Sequence, residues 1–245
     1  MVHLIDAGYA NTYLIEDSGG EIAVDVGTSL AAEKVVQYLT EKYGCVEGVL
    51  CCVTATHFHI DHVGGIERLK KLCPAIPVRF HISVKDYASG CKSLSVPSFS
   101  RWMFGLVPTL IKLKKPFRNA YQALSSSKTA IPLPLLRNWN KVNYAAVCNF
   151  SHSMKLGPLS KWIVLETPGH TPDSISFFCE EKKTLISGDT ILNMDGKGEL
   201  NRFCFDSNEI RNSFERLCLL DVENIYPGHG DPVTGIKGAL SQVRC

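Results

Sequence analysis

The chain has 245 residues, 45% of them hydrophobic, with a formal net charge of +2. This composition excludes a disordered polymer and supplies enough apolar material for one large domain or two small ones. The longest apolar window, around Trp102 to Ile111, is too short for a membrane span and is interrupted by Pro108. No basic segment followed by an apolar one opens the chain, so a non-secreted, cytoplasmic protein is expected.

Taken in order, Val2–Ile5 and residues 11–16 predict strands, and Asp17 to Gly20 a turn into a third strand over 21–26. Gly27-Thr28-Ser29 gives a turn with a hydroxyl cap, and residues 30–43 repeat apolar side chains at Ala31, Val35, Tyr38 and Leu39, closed by Gly44, which predicts a helix. Gly48 to Thr54 reads as a buried strand, and residues 66–72 as a short helix that stops before Pro74. Residues 78–82 suggest another strand. Between them lie His57, His59, Asp61 and His62, four metal-competent side chains within six positions on a strand-to-helix turn. A lone histidine is usually a satisfied core or surface residue, and Asp61 with His62 also reads as a helix cap. Three imidazoles and a carboxylate at this density suit a borderline divalent cation such as zinc, with iron or manganese also able to use them.

Residues from about 83 to 158 are rich in breakers and are expected to be an insertion packed on a single domain spanning 1–245, with helices around 103–115 and 119–124. No acidic residue lies between Asp86 and Glu166, whereas Lys92, Arg101, Lys112, Lys114, Lys115 and six further cations do. An apolar, positively charged cover favours an anionic or amphipathic small molecule as partner, and an exposed apolar insertion suggests a homodimer. The aromatics Trp102, Phe104, Phe117 and Trp139 sit in apolar runs, so no nucleic-acid partner is expected. The ten cysteines form no Cys-x-x-Cys pair and mostly have apolar neighbours, which predicts reduced, buried thiols.

Regularity returns with strands predicted over 162–166, 174–179, 184–187 and 224–226, and an amphipathic helix from Ser207 to Leu220. Three of these strands end in a glycine-containing turn that presents His170, Asp189 or His229. The His-rich turn is thus one of four similar events.

Through Thr56-His-Phe-His-Ile-Asp-His62, Thr167-Pro-Gly-His-Thr171, Ser187-Gly-Asp-Thr190 and Tyr226-Pro-Gly-His-Gly230, the chain resembles the metallo-β-lactamase superfamily. The resemblance runs from the N-terminal hairpin to His229, leaving out the basic insertion. It implies an α/β fold, a four-layered αβ/βα sandwich of two mixed sheets with outer helices. It also implies that His57, His59 and His170 bind one divalent metal ion, that Asp61, His62 and His229 bind a second, and that Asp189 bridges them. Two zinc ions holding a bridging hydroxide would then hydrolyse an ester, thioester, lactone or related bond, with Asp61 catalytic in orienting the nucleophile and shuttling its proton. Asp25 resembles the family's outer carboxylate that orients a ligand; a turn-capping Asp before Gly27 is the plainer reading, and both stand. The C-terminal helices of glyoxalase II enzymes are not expected here, and Ile191-Leu192-Asn193 stands in place of the tyrosine that follows the bridging aspartate in quorum-quenching lactonases. Some relatives with the same His motif bind a single iron and oxidise glutathione persulfide, so a mononuclear iron dioxygenase is the alternative.

Overall fold

Hydrophobic alternation and turn chemistry build a chain of short strands in this computed structural model, which describes residues 1–17, 19–85, 147–156, 160–194, 196 and 198–245. The chain divides into two compact units. Among the described residues the first holds 1–85, 147–150 and 160, and the second 151–156 and 161–245.

The first unit carries a six-stranded mixed sheet in the order β1 (Val2–Ile5), β2 (Thr12–Asp17), β3 (Gly20–Val24), β4 (Leu50–Thr54), β5 (Val78–His81), β6 (Val147–Phe150). Strands β1 to β3 are antiparallel, joined by short connections that reverse the chain. From β3 to β6 the pairing is parallel and needs longer crossovers. The first crossover contains helix α1 (Ser29–Tyr43). Of the two hydroxyls in the predicted capping turn it is that of Thr28 that accepts from Ala31 N–H, at 3.0 Å, and Gly44 ends the helix in a left-handed conformation. Ala31, Ala32, Val35 and Leu39 are its buried face. After β4 come the single-turn helix α2 (Ile60–Val63) and α3 (Ile66–Leu72).

The second unit carries a four-stranded mixed sheet. Its order is β12 (Asn224–Pro227), β9 (Thr184–Gly188), β8 (Ile175–Cys179), β7 (Ile163–Glu166). Strand β12 runs parallel to β9, while β8 is antiparallel to both β9 and β7. Strands β7, β9 and β12 therefore all end at one edge of the sheet. Helix α4 (Ser207–Leu217) is capped by Asp206, which accepts from Asn208 and Glu209 N–H. It buries Ile210, Phe214 and Leu217 beside Phe178, Leu185 and Ile225. Each such burial contributes about 2 kcal/mol.

The expected α/β class, with mixed sheets and helices, is present. Several details differ. Strand β6 falls inside the span read as an insertion. Helix α4 stops at Leu217 rather than Leu220; Leu220 still packs against the core from the turn that follows, while Leu219 is exposed. The two-residue strands β10 (Ile191–Leu192) and β11 (Glu199–Leu200), and a 3-10 turn at Ala239–Gln242, are too short to show a period. Helices expected at 103–115 and 119–124 lie outside the described residues. Among the described cysteines, Cys52, Cys179 and Cys204 are buried and Cys245, at the terminus, is exposed as expected, but Cys45, Cys51 and Cys218 are exposed too, contrary to the expectation of mostly buried thiols. No helix among the described residues is long and apolar enough to cross a membrane.

Candidate metal centre

In the first unit the ligand-type side chains follow β4 at the C-terminal edge of the parallel strands. His57 and His62 are buried, His59 is half-buried, and the Asp61 side chain keeps 29% of its surface exposed. His57 Nε2 lies 3.0 Å from His59 Nδ1, and the His57 and His62 rings are 4.1 Å apart. Asp61 Oδ2 is 3.9 Å from His62 Nε2. One proton at most can sit between two imidazole nitrogens 3.0 Å apart, so this crowding of lone pairs fits a cation.

Parallel register sets Val24 across from Thr54, and Asp25 follows at the same edge. Its carboxylate is fully buried, which costs several kcal/mol unless donors surround it. They do: Thr56 donates its N–H to Oδ1 at 2.7 Å and its hydroxyl to Oδ2 at 2.9 Å, and His62 Nδ1 is 3.0 Å from Oδ2. The hydroxyl has one proton and spends it on Asp25, so at 3.2 Å it accepts from His57 Nδ1–H. His57 is thereby held with Nδ1 protonated and Nε2 presenting a lone pair, and the Asp25 carboxylate beside His62 Nδ1 favours a proton on that nitrogen electrostatically. Asp25 itself has φ +58°, a left-handed conformation that Asp tolerates better than most residues, and its carbonyl accepts from the Thr12 hydroxyl at 2.6 Å. It is more than a turn cap. Gly27 permits the closest approach, since a Cβ there would fall 1.6 Å from the Asp61 carbonyl oxygen.

In the second unit, β7, β9 and β12 deliver His170, Asp189 and His229 to one edge. All three are buried. Asp189 Oδ2 lies 3.5 Å from His170 Nε2 and 3.4 Å from His229 Nε2. The His229 turn is tied down by Asn193, whose N–H donates to the His229 carbonyl at 3.1 Å. Gly230, at φ +85°, packs so tightly that a Cβ would meet the Asn193 carbonyl oxygen at 1.8 Å. His170 Nδ1 lies 2.6 Å from the Phe203 carbonyl oxygen.

Each of the seven residues expected from the sequence belongs to a group of His and Asp side chains able to hold a metal ion. The first unit brings His57, His59, Asp61 and His62 together, and the second brings together His170, Asp189 and His229. Five imidazoles and two carboxylates form a donor set that suits divalent zinc, iron or manganese. Sequence reasoning missed Thr56, Asn193, Asn201 and the Phe203 carbonyl. Thr56 is signalled only as a polar residue ahead of His57, and nothing local marks Asn201, which meets His170 across 31 positions.

A family model described as the metallo-beta-lactamase superfamily matches residues 5–89 and 152–229. The chain is similar to the probable metallo-hydrolase YflN of Bacillus subtilis, with 27% identity over 251 residues, covering 96% of this chain and 85% of that protein. It spans only 57%, 59% and 55% of the length of three further relatives. Among solved structures it is similar to BLEG-1 B3 metallo-beta-lactamase, with a TM-score of 0.62 and 20% identity over 99% of this chain and 95% of that one. It is also similar to TTHA1623 in a di-iron-bound form, with a TM-score of 0.59 and 23% identity over 96% and 94% of the two chains. At these identities the structural likeness speaks for the fold, the α/β sandwich of the metallo-beta-lactamase type.

Proposed function

The chain belongs to the metallo-β-lactamase superfamily, and from that premise we propose that it is a hydrolase with a dinuclear metal site, most simply two zinc ions. Its bond is an ester, thioester, lactone or related linkage in a small molecule. His57, His59 and His170 hold one ion, Asp61, His62 and His229 the other, and Asp189 serves both. The observation that carries the reading is the buried Asp189 oxygen facing two imidazole nitrogens, His170 Nε2 at 3.5 Å and His229 Nε2 at 3.4 Å. A carboxylate so placed is suited to bridge.

When bound, the ions supply an acidified water as nucleophile near neutral pH and polarise the substrate oxygen. The chain's own part is orientation and proton handling. Thr56 and Asp25 keep His57 and His62 in the tautomer that presents Nε2. Asp61, the one carboxylate of the set with substantial exposure, orients the nucleophile and carries its proton to the leaving group.

The substrate is anionic or amphipathic in this reading, with Lys112, Lys114 and Lys115, all outside the described residues, supplying positive charge. Changing those three to glutamine is expected to raise KM for an anionic substrate, with kcat unchanged. A cytoplasmic setting is part of this reading. A homodimer is part of the same reading, and a sizing column tests it.

Metal content of protein purified without added metal or chelator tests the core of the proposal. About two zinc ions per chain, with hydrolysis in a screen of esters, thioesters and lactones, is the expected result. About one iron per chain with oxygen uptake on a persulfide would replace it by an iron dioxygenase.

A further inference from the structure

The segment after β11 wraps the His170 turn. Phe205 N–H donates to the His170 carbonyl at 3.1 Å and Asp206 N–H to the Gly169 carbonyl at 3.0 Å. At its start stands Asn201, 3% exposed, whose own N–H donates to the carbonyl of Thr190, next to Asp189, at 3.2 Å. Its side-chain Oδ1 accepts from Phe203 N–H at 2.9 Å. This is an Asx turn, a side-chain copy of a backbone turn closing on the residue two ahead.

That bond fixes which way the amide points. With Oδ1 engaged, Nδ2 is the atom 3.2 Å from His170 Nδ1; flipping the amide would set two N–H groups against each other. His170 Nδ1 therefore has two neighbours with opposite demands. The Phe203 carbonyl at 2.6 Å requires a proton on Nδ1, whereas the Asn201 amide could donate only to a bare Nδ1. The carbonyl wins at that distance, and the ring keeps Nε2 unprotonated toward Asp189. If the Asx turn were lost, the carbonyl would no longer be held against the ring, and the proton would move to Nε2, which closes that nitrogen to a metal.

We propose that Asn201 is a positioning residue that sets the tautomer of His170 by fixing the Phe203 carbonyl. The inference rests on the metal role of His170 given above and adds a residue outside every motif that carries the superfamily resemblance. Asn201 acts on the ring through the main chain of one residue, Phe203.

The test uses 15N-histidine NMR on metal-free protein at a pH where the rings are neutral, with the His170 signals assigned through His170→Gln. Zinc dissociation constants from competition with a chelator are measured alongside. Wild type is expected to show His170 protonated at Nδ1. Asn201→Ala is expected to populate the Nε2-protonated form and to weaken zinc binding about tenfold or more. Asn201→Asp retains the turn and replaces the competing donor by an acceptor, so it is expected to keep Nδ1–H and bind zinc at least as tightly as wild type. An unchanged tautomer in Asn201→Ala overturns the proposal, as does an Nε2-protonated ring in Asn201→Asp, the variant that decides alone if the alanine chain fails to fold. Failure of wild type to take up zinc would remove the metal role instead, and the tautomer readout would still decide the claim about Asn201.

Discussion

Replacing Asp25 by Asn changes one atom of a carboxylate that serves two imidazoles. Asn tolerates the left-handed backbone at φ +58°, so the substitution leaves the main chain unstrained. The new amide keeps its oxygen on Thr56 N–H, at the 2.7 Å position, and turns its NH2 toward the Thr56 hydroxyl and His62 Nδ1. A donor there reverses both contacts. The hydroxyl must accept from the amide and then donates to His57 Nδ1, while His62 Nδ1 accepts from the amide directly. Both rings carry their proton on Nε2, the nitrogen proposed to face the metals. Hydrogen bonds are exchanged rather than lost, so the metal-free fold loses only about 1 kcal/mol. Zinc binding suffers far more: an orienting partner is worth about 10- to 100-fold per ligand, so two ligands give about 10²- to 10⁴-fold, or about 3 to 5.5 kcal/mol. Chelator competition measures the second effect and urea unfolding of metal-free protein the first. Zinc affinity within threefold of wild type would refute the tautomer argument.

Gly27→Ala pushes a methyl into the Asp61 carbonyl oxygen, 1.6 Å away; overpacking of about 1–3 kcal/mol and a loss of turnover of about 100-fold from a displaced Asp61 are expected, read by thermal unfolding and steady-state kinetics. Asp61→Asn is expected to retain most of its metal yet lose about 100-fold or more in kcat; wild-type turnover would remove Asp61 from proton transfer. His3 is held below the ordinary imidazole value by burial first and the Lys42 ammonium second, with Glu21 and Glu16 opposing. The folded state therefore takes up this proton less readily than the unfolded chain, and stability falls as pH drops through about 6.5. His3→Gln should flatten the stability curve between pH 7 and 5, and parallel curves would rule His3 out as the cause.

The seven candidate ligands were legible because each follows an apolar strand at a glycine-bearing turn, and that pattern is local. Asp25 could not be separated from a turn cap, since its role depends on Thr56 and His62, brought beside it only by the parallel pairing of β3 with β4. Asn201 was invisible for the same reason, its partners being Phe203 and a histidine far back in the chain. Strand β6 pairs with β5 across a span that looks irregular in sequence, so its place in the sheet comes from tertiary pairing rather than a visible period. The thiols misled because apolar neighbours in sequence do not decide which face of an element a residue occupies, as exposed Cys51 beside buried Cys52 illustrates.

The contacts that shape the first candidate cluster close early in the chain, since Asp25, Thr56, His57, His59 and His62 meet among themselves, and the second cluster needs residues from His170 to His229. At ordinary rates of translation the stretch from His62 to His229 takes on the order of 10 to 30 seconds to synthesise. A nascent chain thus carries its first histidine cluster well before the second exists. Neither of the two proposed ion sites is complete until His170, Asp189 and His229 have been made, so in the proposed reading synthesis of the second cluster sets when both sites can close.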